Sequence, residues 1–242
     1  IVSYANQHHI PVYVFGGGST VTRGYEATIS GSICLDMRKH MNRVVDFNEI
    51  DQTITVEAGM QGPDLEHILQ NAPTSLKAKR AYTLGHFPQS YEGASIGGYA
   101  ATRSSGQASA GFGRFDEMVV GLVLATPAGT ITLGAAPMSA SGPDLRQLVL
   151  GSEGAFGVIT SVRLRVHPTP ASTRYEAWSF PDFATGAGAL GAVGAGGAPR
   201  VGGPLSADGR HPDHAERLRR AHGPVRALRP NRSVCASKTF SV

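Results

Sequence analysis

The chain has 242 residues, enough for one large domain or two small ones around a real core, and its 31 Gly follow no Gly-x-y period, which excludes a collagen-like repeat. No stretch approaches 18 uninterrupted apolar residues, so no membrane span is expected. The net charge of +4 is uneven: residues 1–190 carry 13 Lys and Arg against 15 Asp and Glu, and residues 191–242 carry 9 against 3, so the basicity belongs to the last fifth of the chain and no nucleic-acid partner is expected.

In chain order, Ser3–His9 reads as the end of a helix feeding a strand, Val12–Phe15, that stops at three glycines. Thr53–Ala58 alternates as a half-buried strand, with Ile54, Val56 and Ala58 on one face. Gly62-Pro63-Asp64-Leu65 opens a helix, because Pro and an acid suit the first turn, and Leu65, Ile68 and Leu69 mark its inner face. Met118–Thr126 and Thr130–Leu133 flank Pro127-Ala128-Gly129 as a strand pair closed by a short turn. Gly142-Pro143-Asp144-Leu145 repeats the helix-opening words, with Leu145, Leu148 and Val149 as the predicted inner face. Val158, Thr160, Val162, Leu164 and Val166 line one side of a last strand, which Pro168 and Pro170 end.

Helices and strands mix without a regular βαβ beat, which predicts an α+β fold. Residues 1–183 are expected to form the domain. Residues 184–242 turn Gly/Ala-rich and then Arg/Pro-rich, and read as a low-complexity tail, disordered or translated from a shifted frame, with at most a short basic helix at His214–Ala221. His211 and His214 are too isolated to predict a metal site. Cys34 and Cys235 suggest neither a disulfide framework nor zinc, and Cys34 reads as a small buried side chain. The first residues lack a secretory layout and there is no initiator Met, so a cytoplasmic chain beginning inside a longer reading frame is expected.

Three segments are too rich in Gly and small polar residues to be simple loops. Val14-Phe15-Gly16-Gly17-Gly18-Ser19-Thr20 follows a strand, and successive residues without Cβ can aim several N–H groups at one phosphate. It lacks both the nicotinamide fingerprint spacing and the Lys of a P-loop. Gly85 to Gly106 offers few bulky apolar side chains to drive core formation and is better explained as backbone packed around a ligand, with Arg103 available to a phosphate or to a surface ion pair. Gly151-Ser152-Glu153-Gly154-Ala155-Phe156-Gly157-Val158-Ile159 permits close passage beside a planar or phosphorylated group. Together the three predict one extended ligand.

Phe15-Gly16-Gly17-Gly18-Ser19-Thr20, Gly85-His86-x-Pro88-x-Ser90-x-Glu92, Thr102-Arg103-Ser104-Ser105-Gly106 and Gly151-Ser152-Glu153-Gly154 resemble the FAD-binding domain of the vanillyl-alcohol oxidase/PCMH flavoproteins. In order and spacing they are similar to its alkyldihydroxyacetonephosphate synthase branch. The resemblance covers about residues 1–180. It implies a two-subdomain PCMH-type domain, incomplete at its N-terminus and without the C-terminal cap that carries the substrate-binding parts. It also implies FAD contacts at Val14–Thr20, at Gln89, Ser90, Tyr91, Glu92, Gly93, Ala94 and Ser95, at Thr102, Arg103, Ser104 and Ser105, and at Glu153–Ile159. With neither His nor Cys in the first loop, the FAD is expected to be noncovalent. The implied activity exchanges acyl for alkyl on an acyl-dihydroxyacetone phosphate in ether-lipid synthesis, the cofactor carrying the chemistry. A 2-hydroxy-acid oxidoreductase of the D-lactate or glycolate type, or a noncatalytic remnant, are the alternatives. The implied partners are a small-molecule or lipid-phosphate substrate and a second copy as homodimer, and a eukaryotic full-length synthase is expected to be peroxisomal. His86 is a candidate for proton transfer near the isoalloxazine, with a structural hydrogen bond inside its loop as the other reading. Glu153 reads as fixing loop backbone, and Tyr91, Phe112 and Phe156 as packing aromatics.

Overall fold

A computed structural model describes residues 1–134, 140, 142–171, 173–195, 205–206 and 234–241. The chain divides into two compact units, Ile1–Thr169 and Pro170–Val242.

In the first unit, helix α1 (Val2–Gln7) runs into strand β1 (Val12–Phe15), which pairs in parallel with β2 (Ile33–Asp36). β3 (Val44–Asn48) and β4 (Thr53–Glu57) form an antiparallel pair, followed by α2 (Gly62–Gln70), α3 (Ala72–Ser75) and β5 (Tyr82–Thr83). Three short helices come next, α4 (Ile96–Thr102), α5 (Ser109–Phe112) and α6 (Phe115–Met118). The long strands β6 (Val119–Thr126) and β7 (Gly129–Leu133) then make the expected hairpin. α7 (Arg146–Val149), β8 (Val158–Arg165) and β9 (His167–Pro168) complete the unit, with β9 antiparallel to β5. The central sheet has the order β3-β4-β8-β6-β7 and is antiparallel throughout, which agrees with the α+β reading.

The apolar face read from the alternation is buried, and in β4 Thr53 and Glu57 of the other face are buried as well. Ile54, Val56, Val162 and Leu164 are fully buried in the sheet, and Leu65 and Leu69 of α2 are equally enclosed. Pro63 stands in the first turn of α2 and Asp64 beside it, as predicted.

Two expectations are corrected. α7 does not present Leu145 and Leu148 to the core, since both are more than half exposed. Its buried polar residue is Arg146, whose guanidinium donates to the carbonyls of Val119 and Val120 and pairs with Asp144, so the charge enters the interior already satisfied. Cys34 is exposed, because β2 is paired on one side only and half its residues face outward.

In the second unit, β10 (Thr173–Phe180), α8 (Phe183–Ala195), β11 (Leu205–Ser206) and β12 (Val234–Ser241) form a three-stranded antiparallel sheet of order β10-β12-β11 plus a helix. Within the stretch expected to be an unstructured tail from residue 184, the backbone is therefore helical over α8 and strand over β11 and β12. Asp182 starts α8 by accepting the Thr185 N–H at 2.8 Å, which offsets the low helix propensity of its glycines. His211, His214 and the short basic helix expected at 214–221 lie outside the described residues.

Candidate functional site

The chain leaves β1 through Gly16-Gly17-Gly18 and passes directly over the segment Gly93–Ser95. A Cβ on Gly17 would collide with the Gly93 carbonyl, and Gly18 sits at φ +66°, so neither position accepts an ordinary side chain. The loop under it is fixed by α4. Ser95 caps that helix by accepting the Gly98 N–H at 3.2 Å, while Ile96 and Gly97 donate their N–H groups to Met60 and Ala58 just beyond β4. At the other end of α4, Gly151 and Glu153 of the third loop donate to the carbonyls of Ala100 and Ala101, at 3.1 Å each. Thr22 closes the ring by donating its hydroxyl to the Glu153 carboxylate at 2.5 Å. Glu153 thus ties the first loop, through its carboxylate, and α4, through its N–H, to the third loop.

These contacts enclose one cavity of about 570 Å³, within the range of small-ligand and cofactor sites. Val14, Gly16, Gly17, Gly18, Ser19 and Thr20 of the first loop line it. So do Ser90, Ala94, Ser95, Thr102 and Ser104 of the second segment, and Glu153, Gly154, Ala155, Phe156, Gly157, Val158 and Ile159 of the third. Phe156, read also as a packing aromatic, is 48% exposed and belongs to this wall.

Other expected residues do not reach the wall. Phe15 turns away, with its ring edge-on to Tyr25 and under the Arg38 guanidinium. Gln89, Glu92 and Ser105 face outward, and Gly93 supports Gly17 from outside. Tyr91 packs against Phe87 and accepts the Tyr99 hydroxyl on its carbonyl, and burial with nearby carboxylates pushes its phenol up to about 12. Arg103 spends three of its five guanidinium N–H groups inside the fold. It caps α4 in the left-handed region and binds the Asp116 carboxylate at 2.8 Å and the Leu150 and Gln147 carbonyls at 2.8 and 2.6 Å, fastening α4 to the third loop.

His86 lies behind the wall, 2% exposed, packed on Tyr99 and Phe115, with its Nε2 2.9 Å from the Ser104 hydroxyl. Burial pulls its pKa down to about 4, so the ring is neutral near pH 7. The hydrogen bond inside its loop is the reading that the geometry favours over proton transfer.

The sequence reading missed the wall contributed by α1 and β1, namely Val2, Ala5, Asn6, Ile10, Val12 and Tyr13, together with Met37 and Pro127. Apart from Asn6, these residues give the cavity an apolar end and carry no sequence signal beyond hydrophobicity. Gly97, Gly98 and Ala101 also line it, and their place in the small-residue run could have flagged them.

A cradle of crossing glycine backbone, small hydroxyl side chains and an apolar end suits a dinucleotide. A family model described as FAD binding domain matches residues 1–134. The chain belongs to this FAD-binding family, and FAD is its cofactor. It is 33% identical over 192 residues to alkyldihydroxyacetonephosphate synthase of Dictyostelium discoideum, covering 78% of this chain and 30% of that protein. An uncharacterized FAD-linked oxidoreductase of Escherichia coli is 32% identical, with 77% and 37% covered. The mitochondrial D-lactate dehydrogenase (cytochrome) of Arabidopsis thaliana is also 32% identical, with 75% and 30% covered. A solved structure of an alkyldihydroxyacetonephosphate synthase superposes with a TM-score of 0.80 at 26% identity, over 99% of this chain and 44% of the other. The FAD-binding chain therefore spans about a third of the length of the curated relatives it matches. No helix among the described residues is long and apolar enough to cross a membrane.

Proposed function

We propose that this cavity holds FAD noncovalently, with the diphosphate over Gly16–Thr20 and the remainder along Ser90, Ala94, Ser95, Thr102, Ser104 and Glu153–Ile159. The supporting observation is that three loops far apart in the sequence line one cavity of dinucleotide size. Successive backbone N–H groups of the first loop suit a dianion, and the Ser and Thr hydroxyls add donors. FAD, when bound, supplies the electron-accepting ring, and the protein supplies position and a surface shielded from water. Among the described residues the wall holds neither His nor Cys, which favours a noncovalent flavin. Purified chain titrated with FAD should bind it, and acid precipitation should leave all flavin in the supernatant. A yellow pellet would refute noncovalent attachment, and an absence of binding would refute the site.

For the full-length protein, we infer an exchange of acyl for alkyl on an acyl-dihydroxyacetone phosphate, supported by the synthase relatives and by the superposition on a synthase. The D-lactate dehydrogenase match supports a second reading, oxidation of a 2-hydroxy acid. A protein carrying this chain at its relatives' length, given D-lactate and an artificial acceptor, separates the two. Rapid flavin bleaching favours the oxidoreductase. No bleaching, with alkyl incorporation from a fatty alcohol, favours the synthase. A homodimer is part of this proposal, and sedimentation of the same protein tests it.

A further inference from the structure

We propose that Ser104 is a hydroxyl donor to the bound dinucleotide, held in that role by a hydrogen bond from the Nε2–H of His86. The inference rests on the FAD site proposed above and assigns a chemical role to two of its residues.

The imidazole of His86 is enclosed by Tyr99 and Phe115, with ring centroids 4.8 and 5.0 Å away. Its Nε2 meets Ser104 Oγ at 2.9 Å, and its Nδ1 is buried with no hydrogen-bond partner among the described residues. A neutral imidazole carries one N–H. Placed on Nδ1, that proton would be a buried donor facing aromatic rings, an arrangement that native proteins rarely leave standing. Placed on Nε2, it donates to Ser104 and leaves only a lone pair unpaired at Nδ1. The second tautomer is the one the packing selects, and the depressed pKa keeps the ring from carrying both protons near neutrality.

A serine oxygen that accepts from His86 must send its own proton elsewhere. The backbone of Ser104 is pinned, its N–H donating to Tyr99 and its carbonyl accepting from Phe115, at 2.9 and 3.1 Å. Its hydroxyl has no other partner among the described residues, and the residue lines the cavity. The O–H is therefore aimed at the ligand space, where it requires an acceptor, an oxygen or ring nitrogen of the dinucleotide. Because the donor behind it is shielded from solvent, the orientation is set before the ligand arrives.

The test uses the whole chain. Nitrogen NMR of 15N-histidine protein without FAD, the His86 signal assigned by its loss in His86→Gln, should show Nε2 protonated and Nδ1 bare. A proton on Nδ1 overturns the proposal, and the tautomer itself is read on the unmutated chain. In FAD titrations followed by flavin fluorescence, Ser104→Ala should bind roughly 3- to 10-fold more weakly, the loss of one net hydrogen bond. His86→Gln, whose amide keeps a donor at the Nε2 position, should bind within about 2-fold of the unmutated chain, and His86→Leu should weaken binding toward the Ser104→Ala value. Unchanged affinity in Ser104→Ala overturns the inference while leaving the site intact. Failure of the unmutated chain to bind FAD overturns the site itself, and the inference with it.

Discussion

Gly17→Ala isolates the close crossing on which the site depends. A Cβ at this position would stand 2.6 Å from the Gly93 carbonyl carbon and 2.7 Å from Ala94 Cα, both backbone atoms that cannot rotate aside. Restoring ordinary carbon–carbon contact near 3.5 Å requires a retreat of ~0.9 Å, and the Gly93 carbonyl oxygen, which lies closer still, requires more. Overpacking of this kind costs about 1–3 kcal/mol, and the melting temperature of a domain this size should fall by roughly 2–12 °C. The same retreat displaces the N–H groups meant for the diphosphate. Losing one or two charge-assisted hydrogen bonds, worth about 1.5–3 kcal/mol each, should weaken FAD binding by at least 10-fold. Differential scanning calorimetry and FAD titration on the same preparation measure both effects. A variant that melts and binds like the parent would show that the two loops do not cross as described and would refute the argument.

Arg103→Met should lower stability by about 2 kcal/mol, because Asp116 and two carbonyls lose a charged donor, and urea denaturation reads this. An unchanged midpoint with a large loss of FAD affinity would instead make Arg103 a phosphate ligand. His86 takes up its proton at 6.5 when unfolded but only at about 4 when folded, so the unfolded state binds more protons in between. Stability should therefore fall as pH drops through that window, by up to ~3 kcal/mol, and His86→Gln should lose this component in paired denaturation curves at pH 7 and 4.5. Equal pH dependence in the two proteins contradicts the buried neutral ring. Thr22→Val removes the hydroxyl bond between the first and third loops, and FAD should bind roughly 2- to 5-fold more weakly with little change in melting temperature.

The elements legible in the sequence were those whose burial repeats with the backbone. Ile54, Val56 and Ala58 and the run Val158 to Val166 alternate because one face of a strand enters the core. β2 escaped notice because a four-residue strand in a two-stranded pair buries no continuous face. α7 misled for a different reason. Leucines at helical spacing normally mark the inner face, but here Arg146 finds backbone carbonyls inside and turns Leu145 and Leu148 outward. α8 was hidden by its glycines, and only the Asp182 cap signals its start.

The site followed the same logic. Loops that cross backbone on backbone must lack side chains, so glycine at 16–18 was readable, whereas the α1 wall is ordinary apolar surface and was not. Arg103 shows where residue chemistry alone leaves two readings open, since a guanidinium suits a carbonyl cluster as well as a phosphate, and the partners it meets at 2.6–2.8 Å are a carboxylate and two carbonyls.

What joins these observations is α4. Its first turn is hydrogen-bonded to the end of β4, its last turn to the third loop, and its cap lies beneath the first. Seven residues thereby hold three walls of the cavity to the central sheet. Such a segment has little freedom in composition: Gly97 must clear Ala58, Tyr99 and Ala100 must fill the core, and Ser104 must reach both His86 and the cavity. The small side chains there are thus explained twice, by helix–sheet contact from below and by the ligand space above. That double constraint is why a run with so few large apolar residues can nonetheless be well ordered.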